Sequence, residues 1–221
     1  MSLSPELKPC TVLPRVSLGS TASQEDCQRA MADLEKWPLL YSNWDTKPQD
    51  VNVAFSLAYG SDAFFLTYEV DEPVIRAACQ GDSAPVCQDS CVEWFVSVRE
   101  GKYMNFEFNP IGAVTIMSGT ERHGRQLFSF EDLPGLNIWT TEGNLPFDGR
   151  VSQNPWKIWI VIPYKILGIT LTELKQSGLK SNFYKCGDLL PAPHYLSWQP
   201  IDWPTPDFHR PEFFVEMPLL D

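Results

Sequence analysis

The chain has 221 residues, of which 43% are hydrophobic and 13% aromatic, so it can bury a sizeable core. Its formal net charge is -11, with 28 acidic against 17 basic residues. This excess disfavours nucleic acid and anionic membrane surfaces as partners, since both are bound by clustered Lys and Arg. No stretch of about 18 apolar residues occurs, so the sequence predicts no membrane span.

The N-terminal residues 1–6 contain no basic segment followed by an apolar run, so no signal peptide is present in the sequence as written. The compartment stays undetermined at this point. A signal preceding Met1 would indicate a periplasmic or extracellular protein, and its absence a cytoplasmic one.

Six cysteines are present, but none forms a CxxC pair, which disfavours a structural zinc site. A chain of this size does not depend on disulfides for its core. We expect free and mostly buried thiols, with a Cys79–Cys87 bridge as the alternative.

One clear helix is predicted over residues 23–37. Ser23 can cap it, acidic residues follow in the first turn, and apolar residues recur at i, i+3, i+4 and i+7. Pro38 should end it. A second, shorter helix is predicted over 170–176.

The rest of the chain alternates apolar and polar residues with a period of two, which predicts strands. The predicted strands are 51–59, 64–70, 92–98, 103–109, 112–118, 156–162, 182–187, 195–199 and 212–218. Many strands and few helices predict an all-β fold, an antiparallel β-sandwich of jelly-roll or immunoglobulin-like type. We expect one domain over 1–221, with residues 1–50 as an extension packed on the sandwich.

The strand 103–109 carries the most informative polar pattern. Asn105, Glu107 and Asn109 lie on one face, about 7 Å apart along the strand. Their planar donors and acceptors match sugar hydroxyls, and asparagine is a poor strand former. The alternative is the polar outer face of an exposed strand.

Glu93 lies between Val92 and Trp94, where a carboxylate needs an arginine or cation partner. Glu93 and Glu107 could lie on adjacent strands as a carboxylate pair, which is the catalytic apparatus of glycosidases. Many non-enzymes also carry two carboxylates, so the pair does not by itself predict catalysis.

Two further segments contain candidate ligand-binding residues. Arg122 lies in the dense basic patch 121–125, where it can bond sugar hydroxyls or stay solvated in a loop. The segment 194–211 is rich in aromatic and basic residues whose flat rings and polar groups suit a sugar. Its candidates are Trp203, Phe208, His209 and Arg210, with a core position as the alternative for Phe208.

Trp44 and Trp139 are further loop candidates for stacking on a ligand. A metal site built from His123, His194 and His209 has no supporting spacing, so any metal ligands stay unknown. No Ser-His-Asp order, nucleophile elbow, P-loop, dinucleotide fingerprint or metalloprotease motif is present.

Five segments together resemble the family 9 carbohydrate-binding modules, and most of all the stand-alone family-9-like domains of gut bacteria. They are DSCVE at 89–93, YMNFEFN at 103–109, and residues 156–168, 182–188 and 206–214. The resemblance extends from about Val51 to the C-terminus. The first two segments are fairly specific in combination, and each is weak alone. We assign Asp89 and Glu93 to a structural polar core.

The resemblance implies a β-sandwich that binds plant-type glycans, such as xylan or glucan, by stacking sugar between aromatic rings in polysaccharide catabolism. It also implies structural calcium held by carboxylate and carbonyl oxygens. Such modules are often appended to xylanases, so an association with glycoside hydrolases is implied without activity here.

One departure from the family pattern concerns the loop 80–88. Well-studied modules place a stacking tryptophan before the DSxVE element, but this loop contains no aromatic residue. The sequence therefore favours non-catalytic carbohydrate binding and leaves two alternatives. These are a glycoside hydrolase using Glu93 and Glu107, and an interaction domain that has lost its sugar site.

Overall fold

The computed structural model describes residues 12–44, 50–81 and 84–220. Two α-helices lie in these ranges, α1 (Gln24–Met31) and α2 (Leu171–Ser177). The strands are β1 (Trp37–Pro38), β2 (Asn52–Tyr59), β3 (Ala63–Asp71), β4 (Val74–Ala77), β5 (Cys91–Arg99), β6 (Lys102–Phe108), β7 (Val114–Gly119), β8 (Gln126–Leu127), β9 (Asn137–Thr140), β10 (Phe147–Val151), β11 (Trp156–Pro163), β12 (Leu179–Cys186), β13 (Tyr195–Ser197) and β14 (Val215–Met217).

The strands form two main antiparallel sheets, which confirms the predicted β-sandwich. The smaller sheet has the order β1-β2-β3-β11-β9. The larger has the order β13-β12-β5-β6-β7-β8, with β14 also paired to β12. A separate ribbon joins β10 to β4. Since β5 and β6 are central in the larger sheet, their side chains have neighbours on both sides.

The inner faces of the two sheets meet in an aromatic core. Phe55 of the smaller sheet stacks on Phe183 of the larger with ring centroids 3.6 Å apart, and Phe64 meets Trp94 edge-on at 5.3 Å. The period of two along each strand sends these rings inward and the alternate residues outward. Burial of such large rings is the main favourable term holding the sheets together.

The first helix is shorter than predicted. Ser23 caps it as expected, and its hydroxyl accepts from the Asp26 amide at 3.2 Å. The helix ends at Met31, however, and the predicted continuation to Trp37 is wrong. Trp37 instead pairs in register with Phe55, and its indole is buried against the rings of Phe55 and Trp198, so tertiary packing overrides the local helical pattern.

The second helix is confirmed, with Thr170 and Glu173 forming a reciprocal capping box. The predicted strand 212–218 is partly wrong. Pro211–Phe213 forms a 3₁₀ turn, and β14 starts only at Val215. The strands β1, β4, β8, β9 and β10 were not predicted, since each has at most five residues.

No helix within the described ranges is long and apolar enough to cross a membrane. The five cysteines that the structure describes, Cys27, Cys79, Cys87, Cys91 and Cys186, are free thiols, so the alternative of a Cys79–Cys87 bridge is not found. Cys10 lies outside the described residues.

Candidate functional site

The candidate site lies on the outer face of the larger sheet. Along β6, Phe106 points into the core, so Asn105 and Glu107 face outward. This face is not open to solvent as a plain outer strand would be. The segments 84–88 and 201–214 lie over it, and Phe208 and Phe214 pack there against the ring of Tyr184 and its neighbours.

A cleft of about 450 Å³ remains between the sheet and this cover. Its volume lies in the range of roughly 300–1,000 Å³ that is usual for small-ligand sites. Polar and ring-bearing residues share its lining: Glu93, Glu107, Thr115, Arg122, Asp188, Tyr195, Asp207, Phe208 and His209.

Two carboxylates form the floor of the cleft. Glu93 and Glu107 are direct cross-strand partners in β5 and β6, which confirms their predicted adjacency. Their exposed fractions are only 3% and 7%. The same row across the sheet continues to Thr115 on one side and Tyr184 on the other.

Burial changes the protonation of this pair. It raises the pKa of Glu107 to about 7, although a hydrogen bond from the Asn105 amide at 2.7 Å acts in the opposite direction. For Glu93, burial first and then the neighbouring Glu107 charge raise the pKa well above its usual value. Among the described residues, neither carboxylate forms an ion pair. A protonated carboxyl group both donates and accepts hydrogen bonds, which suits a ligand hydroxyl.

Arg125 positions the polar side chains beside the pair. Its guanidinium donates to Asn105 Oδ1 at 2.7 Å and lies over the Tyr103 ring, 4.1 Å from the centroid. Asn105 is thereby held between Arg125 and Glu107 and does not line the cleft. The sequence predicts a ligand-binding role for Arg122 in this patch, but Arg125 is the residue that holds Asn105.

Asn109 also lies away from the cleft, in a buried polar network. Its amide donates to Asp89 Oδ2 and to the Cys79 carbonyl, both at 2.9 Å. The Asp89 carboxylate also accepts from the Ala78 and Cys79 amides and from Arg76 at 2.6 Å. Asn109 therefore has no free group for a ligand. The network holds together both ends of the loop that contains the segment 84–88.

Some residues of the aromatic segment 194–211 cover the cleft, and others lie on the protein surface. Phe208 stacks on Tyr184 with centroids 4.2 Å apart, and only 9% of the residue is exposed. His209 shares a hydrogen bond of 3.0 Å with the Tyr103 hydroxyl, and burial lowers its pKa to about 3. Both border the cleft.

Trp203 is 40% exposed but does not line the cleft, and the Arg210 guanidinium covers its ring 3.0 Å from the centroid. Trp44 lies in the loop between β1 and β2, as expected, but it is buried beside Phe208 and so is not available for stacking on a ligand. The expectation that Trp139 lies on a loop is wrong, since it belongs to β9. Both indoles find apolar neighbours, which explains their positions.

Four polar or ring-bearing residues of the lining were not predicted from the sequence: Thr115, Asp188, Tyr195 and Asp207. Tyr195 is half-buried at the end of the larger sheet, Asp188 follows β12, and Asp207 forms an ion pair with Arg122 at 3.4 Å. Their own segments carry no pattern that marks them. Only the approach of β12, β13 and the 201–214 segment brings them together.

The three histidines do not form a metal site. His209 contacts Tyr103, His194 lies 3.1 Å from the Lys185 amine, and His123 is exposed in the turn after β7. The one cluster of three or more potential side-chain ligands within the described ranges is Cys91, Glu93 and Cys186. Two thiols do not fit calcium, which takes hard oxygen ligands, so no role for calcium follows from this cluster.

A β-sandwich with a polar and aromatic cleft above one sheet has the groups that a small polar ligand such as a sugar requires. The model of carbohydrate-binding family 9 matches residues 25–219, and this chain belongs to that family. No curated protein sequence matches the chain.

Solved structures agree with this assignment. A candidate carbohydrate-binding protein from Bacteroides uniformis is 33% identical, with a TM-score of 0.87 over 96% of this chain and 100% of its own. Two structures of a family 9 module from Caldicellulosiruptor kristjanssonii, both 12% identical, share the fold. The cellotriose complex has a TM-score of 0.56 and covers 93% of this chain and 92% of its own. The glucose complex has a TM-score of 0.58 and covers 93% and 94%.

Proposed function

We propose that this chain binds a plant-type glycan of the glucan or xylan class in the cleft above Glu93 and Glu107, without hydrolysing it. The observation that carries the proposal is the buried carboxylate pair at the floor of a 450 Å³ cleft with ring-bearing walls. Family membership and the cellotriose and glucose complexes of the related module support a glucan-type ligand.

The cleft offers two kinds of contact for a sugar. Glu107, Arg122 and Asp207 supply hydrogen-bonding groups for hydroxyls. The half-buried Tyr195 supplies a ring that a pyranose can cover. This arrangement would use a ring of β13 in place of the tryptophan that is missing from the loop 80–88.

The test is calorimetric titration with cello- and xylo-oligosaccharides in the presence of a chelator, so that metal ions do not contribute. We expect Glu107→Leu to weaken binding at least about tenfold, since it removes a buried hydrogen-bonding partner of a ligand hydroxyl. The matched control is Glu100→Leu, which replaces an exposed carboxylate in the turn that joins the same two strands. Equal affinity of both variants and the wild type would place the sugar elsewhere, and no binding to any chain would favour the lost-site alternative.

The alternative that the chain is a glycoside hydrolase can be tested at the same two carboxylates. Retaining glycosidases hold their carboxyl groups about 5–5.5 Å apart, but one of them must be ionised to act as nucleophile. Burial raises the pKa of both Glu93 and Glu107, which disfavours that state. Turnover of aryl-glycosides by the wild type that disappears in Glu107→Gln would establish catalysis and overturn the non-catalytic proposal.

A further inference from the structure

The cluster Cys91, Glu93 and Cys186 is a second feature of the cleft floor that sugar binding does not explain. Cys91 and Cys186 are direct cross-strand partners in β5 and β12, and Glu93 follows Cys91 on the same face. The two sulfur atoms and one Glu93 oxygen all lie within 4.8 Å of one another. The closest contact joins Cys186 Sγ to Glu93 Oε1 at 3.0 Å.

We propose that this thiol–carboxylate cluster binds one soft or borderline divalent metal ion of the zinc class. Two thiolates and a carboxylate are ligands that zinc takes in proteins. Each thiol, and the Glu93 carboxyl group when it is protonated, would release its proton to solvent when the ion binds. The proposal does not depend on sugar binding, because all three ligands come from the sheet itself.

The spacing of the donor atoms fits such an ion. A tetrahedral ion with metal–sulfur distances of about 2.3 Å holds its two sulfur atoms about 3.8 Å apart. Donor atoms that already lie within 4.8 Å therefore need only small side-chain movements to reach this geometry. The carboxylate is the third ligand, and its oxygen is already in contact with one sulfur atom.

The cluster is buried, yet an ion can reach it. Cys91 and Cys186 are 0% and 2% exposed. Glu93 and Cys186 nevertheless line the cleft, so the fourth coordination position faces the cleft and is open to water or to a ligand group. Three protein ligands with one open position is the arrangement of exchangeable zinc sites, whereas structural sites close all four.

The ligands of the cluster are not engaged by a basic residue. Among the described residues, none forms an ion pair with Glu93. The neighbouring cations are engaged elsewhere. Lys185 pairs with Glu72 at 3.0 Å, and Arg125 donates to Asn105.

The sequence alone did not indicate this site, because the absence of a CxxC pair disfavoured zinc. The two cysteines are 95 positions apart and meet only through the pairing of β5 with β12. The cluster therefore depends on the pairing of the two strands and not on the spacing of the cysteines along the chain.

The test is titration of the reduced, chelator-stripped protein with Co²⁺ alone, in the absence of sugar. We expect one equivalent to bind and to give a sulfur-to-cobalt charge-transfer band with intense visible bands of tetrahedral type, both displaced by Zn²⁺. Cys91→Ala and Cys186→Ala should lose these bands, and Glu93→Gln should weaken binding at least about tenfold. Cys27→Ala is the matched control, since this buried thiol belongs to a separate cluster beneath α1.

A second measurement does not require the variants to fold. Wild-type protein is alkylated with and without Zn²⁺ in mild denaturant, at a concentration at which the buried Cys91 and Cys186 react in the metal-free protein, and the modified cysteines are identified by mass spectrometry. We expect Zn²⁺ to protect Cys91 and Cys186 and to leave the partly exposed Cys79 reactive. Equal alkylation in both conditions, or cobalt bands unchanged in Cys91→Ala, would overturn the proposal. The proposal would also be overturned if the reduced protein gave no cobalt bands and a Cys91–Cys186 disulfide formed readily. That result would indicate a redox pair of cysteines.

Discussion

Glu93 and Glu107 face each other across β5 and β6 at the bottom of a cleft, and both carboxylates are almost fully buried. Two like groups in this position cannot both ionise without a large electrostatic cost. The pH dependence of the free energy of unfolding should therefore reflect this pair.

Stability should fall as the pH rises through the range in which Glu107 ionises. Its pKa is raised from 4.5 to about 7 on folding, so its neutral form favours the folded state below pH 4.5, and this contribution is lost between pH 4.5 and 7. The difference amounts to about 3 kcal/mol. Thermal unfolding of the wild type and of Glu107→Gln at several pH values checks this.

The comparison with the variant is needed because the histidines act in the opposite direction. Burial lowers the pKa of His194 to about 4 and of His209 to about 3, so their contribution to stability increases with pH up to about 6.5. The two histidine contributions are the same in the wild type and in Glu107→Gln. A wild-type pH profile parallel to that of Glu107→Gln would show that Glu107 titrates normally.

Tyr195→Ala should weaken glycan binding by about 1 kcal/mol or more, because the ring lines the cleft. Trp203→Ala should leave the affinity within about a factor of two, which is below 0.5 kcal/mol. The Trp203 ring is already covered by Arg210 and lies outside the lining. Titration calorimetry with one oligosaccharide compares the two variants, and the reverse order would move the stacking platform to Trp203.

Asp89→Ala should destabilise the protein by about 3–5 kcal/mol, since it leaves the Arg76 guanidinium and two main-chain amides without their buried partner. Asp148→Ala is the matched control, because Asp148 pairs with the same arginine but is 82% exposed. Its loss should cost less than about 1 kcal/mol. Chemical denaturation measures the free energy of unfolding of both variants. Similar losses would indicate that the buried Asp89 contacts contribute no more than the exposed ion pair.

Lys185→Met should also cost about 3–5 kcal/mol, because Glu72 then remains buried without its cation. The amine lies 3.0 Å from the Glu72 carboxylate, and both side chains are inaccessible. The double variant with Glu72→Gln should recover part of the loss. Lys180→Met, on the same strand but exposed, should change stability by less than about 1 kcal/mol. No recovery in the double variant would mean that packing, and not charge, dominates there.

The local pattern of the sequence determined much of the fold. The alternation in 92–98 and 103–109 indicated which side chains of β5 and β6 enter the core, because a period of two fixes the two faces of any strand. Ser23 marked the start of the first helix, since capping depends on neighbouring residues alone. The Asp-Ser-Cys-Val-Glu and Phe-Glu-Phe-Asn segments were sufficient to indicate the family.

The tertiary structure decided which of the polar residues share a site. Asn105, Glu107 and Asn109 look equivalent along the strand, yet Arg125 engages the first, the cleft exposes the second, and Asp89 engages the third. The meeting of Cys91 with Cys186 and the end of α1 before Trp37 depend on strand pairing between distant segments. Pairing of this kind is set by the burial of whole sheet faces, so no local pattern in the sequence could specify it.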